Sequence, residues 1–258
     1  MSDSRKDIRA TLKRLRIAAD HRARTNEQIT KRLLVESANI REPNFHAMSG
    51  EDVRFLFDRY DELYFDGLLN LALGATPIGF RVSSRMTRAG GKTSSWRKDK
   101  NSLIERFEIT ISSTLLSQTF CDDQIDRTVR VTGLECHTRL EALLRVMEHE
   151  LIHLSELLGW ESSSCTQDRF QTLAWQIFGH TDHRHALITP RERAASVGVR
   201  PGARVRFDFQ GEALLGIVNR VTRRATVLVP AEDGDRFSDG NRYRKYYVPV
   251  KMLEPIEE

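Results

Sequence analysis

Five consecutive residues, His149-Glu150-Leu151-Ile152-His153, have the types and spacing of a zinc site. Histidines four positions apart lie on the same face of an α-helix, so both imidazoles can reach one Zn²⁺. A glutamate beside the first histidine can take a proton from a water whose pKa the zinc lowers. The sequence therefore predicts His149 and His153 as metal ligands and Glu150 as a general base.

No third ligand follows at a standard spacing, although a catalytic zinc takes three protein ligands and leaves the fourth position for water. Glu156 stands where the metzincin pattern requires glycine, and no histidine follows three residues later. The gluzincin pattern also fails, because residues 162–186 contain no glutamate. The remaining donors are Cys165, Asp168, His180, His183 and His185.

A predicted helix over residues 166–178 separates these donors. Cys165 and Asp168 lie at its start, whereas His180 follows its end. With a rise of 1.5 Å per residue, the two ends are roughly 20 Å apart and cannot share one zinc. From spacing alone, both Cys165 and His180 remain candidates for the third ligand.

The elements that must position these residues predict an α+β fold. Apolar residues repeat at helical spacing over 139–158, which indicates a buried helix whose histidines face an interior cleft. Further helices are predicted in 4–37 and over 50–64. Alternating runs at 78–84 and 106–111 predict two strands of a hairpin, joined by a mobile loop at 89–101.

The pattern changes after Pro190. Five short strands are predicted between residues 198 and 258, which is typical of a small closed barrel of the SH3 or Tudor kind. Their ranges are 205–209, 214–221, 225–229, 243–248 and 249–253.

Cations and aromatic residues are interleaved in the strand predicted at 243–248. Alternation places Arg242, Arg244 and Tyr246 on one face, where guanidinium groups beside a ring suit phosphate contact and base stacking. A neighbouring turn adds Arg220, Arg223 and Arg224. We predict that these six residues bind nucleic acid; an outer barrel face with cross-strand pairs is the simpler alternative.

The distribution of charge agrees with basic ends around an acidic centre. Residues 1–42 contain eleven Lys/Arg against six Asp/Glu, and residues 190–258 contain thirteen against ten. No apolar run reaches the ~20 residues of a membrane helix, and we expect no secretory signal. The three cysteines form no Cys-x-x-Cys pair, so we expect a reducing, cytoplasmic location without a disulfide framework.

Four segments together resemble the SprT-like metalloproteases. Residues 57–68 resemble the first helix of that family, 80–86 its first strand, 89–93 its hairpin loop and 148–154 its metal helix. The resemblance covers about residues 50–180. It implies a zincin-like fold, bound zinc and, for Spartan-type members, cleavage of proteins crosslinked to DNA.

The resemblance also bears on the third ligand, which in the family is a histidine four positions before an aromatic residue. Counting back from Phe170 gives Thr166, so this chain departs from the pattern. Cys165 is adjacent, and zinc favours its thiolate. We therefore predict Cys165 as the third ligand, with His180 as the second choice. The family's usual C-terminal zinc ribbon is absent, because no cysteine follows Cys165.

The predicted organisation is a basic helical extension (1–42), a SprT-like zincin domain with helices on a small sheet (43–190), and a small all-β barrel (198–258). The predicted function is a zinc-dependent metallopeptidase that acts on protein substrates, including DNA-associated or DNA-crosslinked proteins. The alternative is a nucleic-acid-associated protein whose zinc is structural or catalytically silent.

Overall fold

The computed structural model describes residues 2–99, 102–120 and 128–256, and for residues 2–6 the backbone alone. The fold is α+β, as predicted. Two compact units can be distinguished: one runs to Phe120 and resumes from Thr128 to Leu187, and the other begins at Ile188. Within the described residues, no helix is both long enough and apolar enough to cross a membrane.

The first unit contains seven helices and five strands in its described part. The helices are α1 (Ser2–Arg14), α2 (Ala19–Glu36), α3 (Gly50–Tyr64), α4 (Leu68–Leu73), α5 (Ser113–Thr119), α6 (Arg139–Trp160) and α7 (Asp168–Phe178). The strands are β1 (Ile78–Ser83), β2 (Gly91–Trp96), β3 (Arg106–Ser112), β4 (Arg130–Val131) and β5 (Leu134–Glu135).

Helix α6 is the central element of this unit. It begins where the Thr138 hydroxyl accepts a hydrogen bond from the Glu141 amide, which satisfies a free N–H of the first turn. Most of its residues are buried on several faces, so it packs against helices and sheet together. The predicted buried helix is present and extends two residues further than expected.

The small sheet corrects the predicted hairpin. Strand order is β1-β3-β2, with β1 parallel and β2 antiparallel to β3, so the two predicted strands are not hairpin partners. The segment predicted as a mobile loop contains β2, which packs against α6. Its sequence, Gly-Lys-Thr-Ser-Ser-Trp, does not alternate apolar and polar residues. Its contacts with α6 are partly polar, such as the hydrogen bond from the Thr93 hydroxyl. Periodicity therefore could not reveal it.

The N-terminal helices belong to the core of the first unit. Ile8, Leu12, Ile29 and Leu33 are buried in the same apolar cluster as α6. Residues 1–42 are therefore not a detached extension. Several of their cations form ion pairs within α2, including Arg24 with Asp20 and Lys31 with Glu27.

The second unit is a five-stranded antiparallel sheet with a short helix. Its elements are α8 (Pro190–Ser196), β6 (Arg204–Phe209), β7 (Glu212–Val221), β8 (Ala225–Arg236), β9 (Arg242–Val248), a 3₁₀ turn (Val250–Met252) and β10 (Glu254–Pro255). Strand order is β10-β6-β7-β8-β9. Alternate residues of β6, β7 and β8, such as Val205, Val218 and Val227, form its core. The last strand is shorter and later than the predicted 249–253, because a 3₁₀ turn occupies residues 250–252.

Candidate metal centre

His149 and His153 lie one turn apart on α6, as their spacing predicts. Their Nε2 atoms are 3.1 Å apart, and the Phe170 ring of α7 packs against both imidazoles. Burial lowers the pKa of His149 well below its usual range and that of His153 to about 4. Both rings are therefore neutral at pH 7, which is the form that binds metals.

Cys165 completes a group of three donors. Its Sγ and the ligand nitrogens of His149 and His153 all lie within 4.8 Å of one another. The cysteine is on the loop between α6 and α7 and is half-buried, and this burial raises its pKa. Two neutral imidazoles and one thiol match the donor chemistry of a zinc site. The residues present therefore fit the metal that the sequence predicted.

A second group of donors shares His149. Atoms of His149, Glu150 and His185 lie within 4.8 Å of one another, and the His149 and His185 rings are 4.3 Å apart. An isolated β-bridge between His185 and Val131 holds this segment in place. Burial lowers the pKa of His185 to about 3, so this imidazole is also neutral. Its Nε2 has no hydrogen-bond partner among the described residues.

His185 was one of several donors in the sequence, and nothing in its spacing distinguished it. It follows His153 by more than thirty residues, across a loop, a helix and a second loop. Only the return of the chain to β4 places it beside α6. The dense run of histidines near residue 183 was the available signal, and it did not indicate which histidine faces the cleft.

His180 belongs to a different buried network. Its Nε2 donates to Glu148 Oε2 at 2.8 Å, and both side chains are almost completely buried. Arg145 and Tyr60 also bond the Glu148 carboxylate, at 2.7 and 3.0 Å. Burial alone would raise the pKa of Glu148, but Arg145 and the hydrogen bond from His180 outweigh it and lower the pKa.

This network bears on His180, the second choice for the third ligand. Neither donor group of the described residues contains His180. Its Nε2 is occupied by Glu148, and Glu148 and His149 are adjacent on α6 but lie about 100° apart around the helix axis. His180 therefore supports the helix from another side.

Glu150 is 2% exposed and is held by the edge strand β2. The Thr93 hydroxyl lies 2.8 Å from Glu150 Oε2, to which it donates, and 3.0 Å from the Glu150 backbone oxygen. A Cβ atom at Gly91 would lie 2.5 Å from Glu150 Oε1, so a larger residue there would displace the carboxyl group. Burial raises the pKa of Glu150 to about 8, against the lowering effect of Thr93. The sequence indicated Glu150 but not these two neighbours.

The donors and Glu150 line one cleft of about 450 Å³. Arg88 and Lys92 lie at the same cleft and could meet anionic groups of a ligand, while Leu157 adds an apolar wall. The arrangement can hold a divalent ion next to a buried carboxyl group with a raised pKa. Such a pair is suited to deprotonating water near the ion.

The six residues predicted to bind nucleic acid fall into two sets in the second unit. Arg242 donates to the Gly234 carbonyl and Arg244 pairs with Asp233, while the Tyr246 ring packs against Phe207 and Phe209. These three side chains therefore already have partners within the unit. Arg220, near the end of β7, and Arg223 and Arg224, in the turn between β7 and β8, are exposed.

The aromatic residue beside those arginines is Tyr247. Cross-strand register aligns Arg220 with Thr226 and Thr226 with Tyr247, so the three side chains share one face of the sheet. We call these residues the arginine–tyrosine row. Tyr247 is 61% exposed, whereas Tyr243, expected on the same face, is buried against Phe237. Burial within β9 does not follow strict alternation, because the consecutive residues Arg244 and Lys245 are both exposed.

Comparison of the chain with protein-family models, with curated proteins and with solved structures finds no match.

Proposed function

We propose that the first unit is a zinc-dependent peptidase of the SprT-like, zincin type. The observation that carries this proposal is the convergence of His149, His153 and Cys165 on one point, with Glu150 buried beside them in the same cleft. The resemblance of residues 50–180 to SprT-like metalloproteases also supports it, through the segments 57–68, 80–86 and 89–93 outside the metal-binding motif. A zinc ion at this point would lower the pKa of its water and polarise the carbonyl of a peptide bond.

The protein groups have distinct roles in this proposal. His149, His153 and Cys165 would hold the ion, and Glu150 would accept the proton of the attacking water. The same carboxyl group would then pass that proton to the leaving amine. Thr93 fixes the orientation of the carboxyl group throughout.

A second candidate function follows from His185. With His149, His153 and Cys165 it brings a fourth donor to the cleft, and four protein ligands are typical of structural zinc sites. In that case the ion would stabilise the fold without catalysing hydrolysis. The position of Glu150 favours the peptidase, because a structural site has no use for a buried carboxyl group beside the ion.

The second unit is proposed to contact nucleic acid through the arginine–tyrosine row and the adjoining Arg223 and Arg224. Guanidinium groups can contact phosphates, and an exposed tyrosine ring can stack on an unpaired base. An SH3-like or Tudor-like barrel in this position would replace the zinc ribbon of related proteases. A peptidase with this surface would act on proteins bound or crosslinked to DNA.

The peptidase is tested with purified protein, measured zinc content and an unstructured protein substrate. Glu150→Gln should keep zinc and lose hydrolysis, because an amide cannot accept the proton. His153→Ala should lose zinc and hydrolysis together. His185→Ala separates the two functions: a peptidase with three ligands retains zinc, whereas a four-ligand structural site loses affinity. Hydrolysis that persists in Glu150→Gln would contradict the proposed role of Glu150.

A further inference from the structure

A chain of hydrogen bonds lies behind His153, on the side away from His149. His153 Nδ1 is 2.6 Å from Ser163 Oγ, and the Ser163 hydroxyl donates to Glu156 Oε2, also at 2.6 Å. We propose that Glu156, acting through Ser163, holds His153 as its Nδ1–H tautomer and so presents Nε2 as the metal-binding atom. The inference deepens the proposed metal site and rests on it.

The direction of the chain follows from the number of protons available. A carboxylate accepts hydrogen bonds and donates none, so the single hydroxyl proton of Ser163 is directed to Glu156. Ser163 Oγ then has only a lone pair facing His153. The contact is a hydrogen bond only if His153 Nδ1 carries a proton and donates it to Ser163 Oγ. A neutral imidazole has one N–H, so Nε2 is left with its lone pair free for a metal.

The carboxylate is fixed by a second partner. Arg169 Nε donates to the other oxygen, Glu156 Oε1, at 2.5 Å. Glu156 is completely buried, so water cannot replace either contact. Both oxygens of the Glu156 carboxylate therefore accept hydrogen bonds, one from Arg169 and one from Ser163, and this fixes the direction of the Ser163 hydroxyl proton.

His149 shows the contrast. Its Nδ1 is buried and has no hydrogen-bond partner among the described residues, so no serine–carboxylate chain acts on that nitrogen. The two predicted histidine ligands are therefore supported differently, although they occupy equivalent positions in the motif.

The same group also ties the third ligand to the metal helix. Ser163 precedes Cys165 by two residues on the loop between α6 and α7. Arg169, paired with Glu156, also donates to the Ser162 carbonyl at 2.9 Å. Glu156 thus connects the helix that carries His153 with the loop that carries Cys165. Holding the two in place before the ion binds should increase affinity for the ion.

A glutamine at position 156 gives a sharp test, because Arg169 determines how the amide would lie. Arg169 requires an acceptor, so the amide oxygen would take the Oε1 position and the NH₂ group would face Ser163. The NH₂ group would then donate to Ser163 Oγ, and the hydroxyl proton would turn towards His153 Nδ1. Glu156→Gln should therefore reverse the chain and favour the Nε2–H tautomer, which cannot bind metal through Nε2.

The experiment measures the zinc affinity by chelator competition and the His153 tautomer by ¹H–¹⁵N NMR of the imidazole in metal-free full-length protein. Ser163→Ala and Glu156→Gln should weaken zinc binding about 10- to 100-fold. Ser163→Ala should give mixed tautomers and Glu156→Gln mainly Nε2–H, whereas Ser163→Thr should restore the Nδ1–H form. Ser164→Ala is the matched control, because Ser164 contacts Thr166 rather than Glu156.

A purely structural role for Glu156 could lower stability but would leave His153 in the Nδ1–H form in all variants, and that result would overturn the proposal. If Glu156→Gln does not fold, Ser163→Ala decides by the same two measurements. Failure of the wild-type protein to cleave peptides would count against the proposed function alone, since neither readout depends on hydrolysis.

Discussion

Thr93 on the edge strand β2 donates a hydrogen bond to the carboxyl group of Glu150 on α6, at 2.8 Å. The contact joins residues more than fifty positions apart and lies beside the proposed metal ligands. This hydrogen bond holds the carboxyl group of the proposed general base in place. The carboxylate form gains more from this bond than the protonated form, so Thr93 opposes the effect of burial on the pKa.

Replacing Thr93 by valine should raise the pKa of Glu150 further and reduce hydrolysis. The bond is worth about 1–3 kcal/mol when a buried partner is left without it, so kcat/KM should fall about 10-fold or more. The acid limb of the pH profile of kcat/KM should move to higher pH. Thr93→Ser keeps the hydroxyl and should retain the wild-type profile; an unchanged profile in Thr93→Val would show that the contact does not act on Glu150.

Glu150 should make the metal-free protein less stable at alkaline pH. Its pKa is about 8 in the folded protein against an ordinary value of 4.5, so the folded state holds the proton more tightly. This contribution to stability is complete below pH 4.5 and is lost as pH rises through 8. Glu150→Gln should remove that loss and be more stable than the wild type at about pH 9, by a few kcal/mol at most. Urea unfolding with a chelator present measures the difference.

The buried histidines should make the metal-free protein less stable at acid pH. The folded-state pKa of His153 is about 4 against 6.5, so its contribution is complete above 6.5 and is lost as pH falls through 4. His185, lowered to about 3, behaves similarly. Below pH 4.5 Glu150 holds its proton in both the folded and the unfolded state, so Glu150→Gln should leave the slope there unchanged, and that range is the internal control. Equal slopes of stability against pH between 4.5 and 8 in both proteins would contradict the assignment to Glu150.

Cys165 and His180 should respond differently to substitution. Cys165→Ser should weaken zinc binding with little change in the stability of the metal-free protein. His180→Ala should keep zinc affinity and lower stability, because Glu148 loses a buried partner; about 1–3 kcal/mol is typical. Zinc titration and denaturant unfolding of both variants give the two readouts. The reverse pattern would return His180 to the list of ligands.

The arginine–tyrosine row, together with the adjoining Arg223 and Arg224, should dominate nucleic-acid binding. Replacing Arg220, Arg223 and Arg224 by alanine should weaken binding of single-stranded DNA and lower the salt slope of log Kd by about 1 for each lost phosphate contact. Tyr247→Ala should cost about 1–3 kcal/mol if the ring stacks on a base. Fluorescence anisotropy at several salt concentrations measures both effects.

Arg242 and Arg244 provide the matched control for this surface, since both have partners within the second unit. Their replacement by alanine should change DNA binding less than loss of the three arginines. The opposite ranking would support the surface predicted from strand alternation. Equal affinity of all variants would remove nucleic acid from the proposed function.

Helix α6 and the second unit show what a sequence pattern can predict. His149 and His153 are one helical turn apart, so local geometry alone places their rings together. The strands of the second unit follow from alternation and from the turns between them. Three of the five predicted strands agree closely with β6, β7 and β9, whereas β8 begins at the predicted residue and runs seven residues beyond the predicted end. In these places, the interacting residues are neighbours along the chain or within one regular element.

Strand β2 and Glu156 show where such reasoning ends. The polar sequence of β2 has no strand periodicity, and its place at the sheet edge depends on pairing with β3 and packing on α6. A glutamate on a helix is expected to be exposed, yet Glu156 is completely buried. Ser163 and Arg169 form hydrogen bonds with its carboxylate there. A buried charge is stable only when such partners are present, and they come from the next loop and helix.

The sequence by itself determined the α+β class, the two predicted histidine ligands and the candidate general base, because each depends on periodicity within a single element. Only the tertiary structure decided that Cys165 and His185 lie near His149 while His180 does not, and that Thr93 and Ser163 hold Glu150 and His153. These relationships join residues whose separation in the chain carries no geometric information. They are fixed by how α6, α7 and β2 pack, which no local pattern specifies.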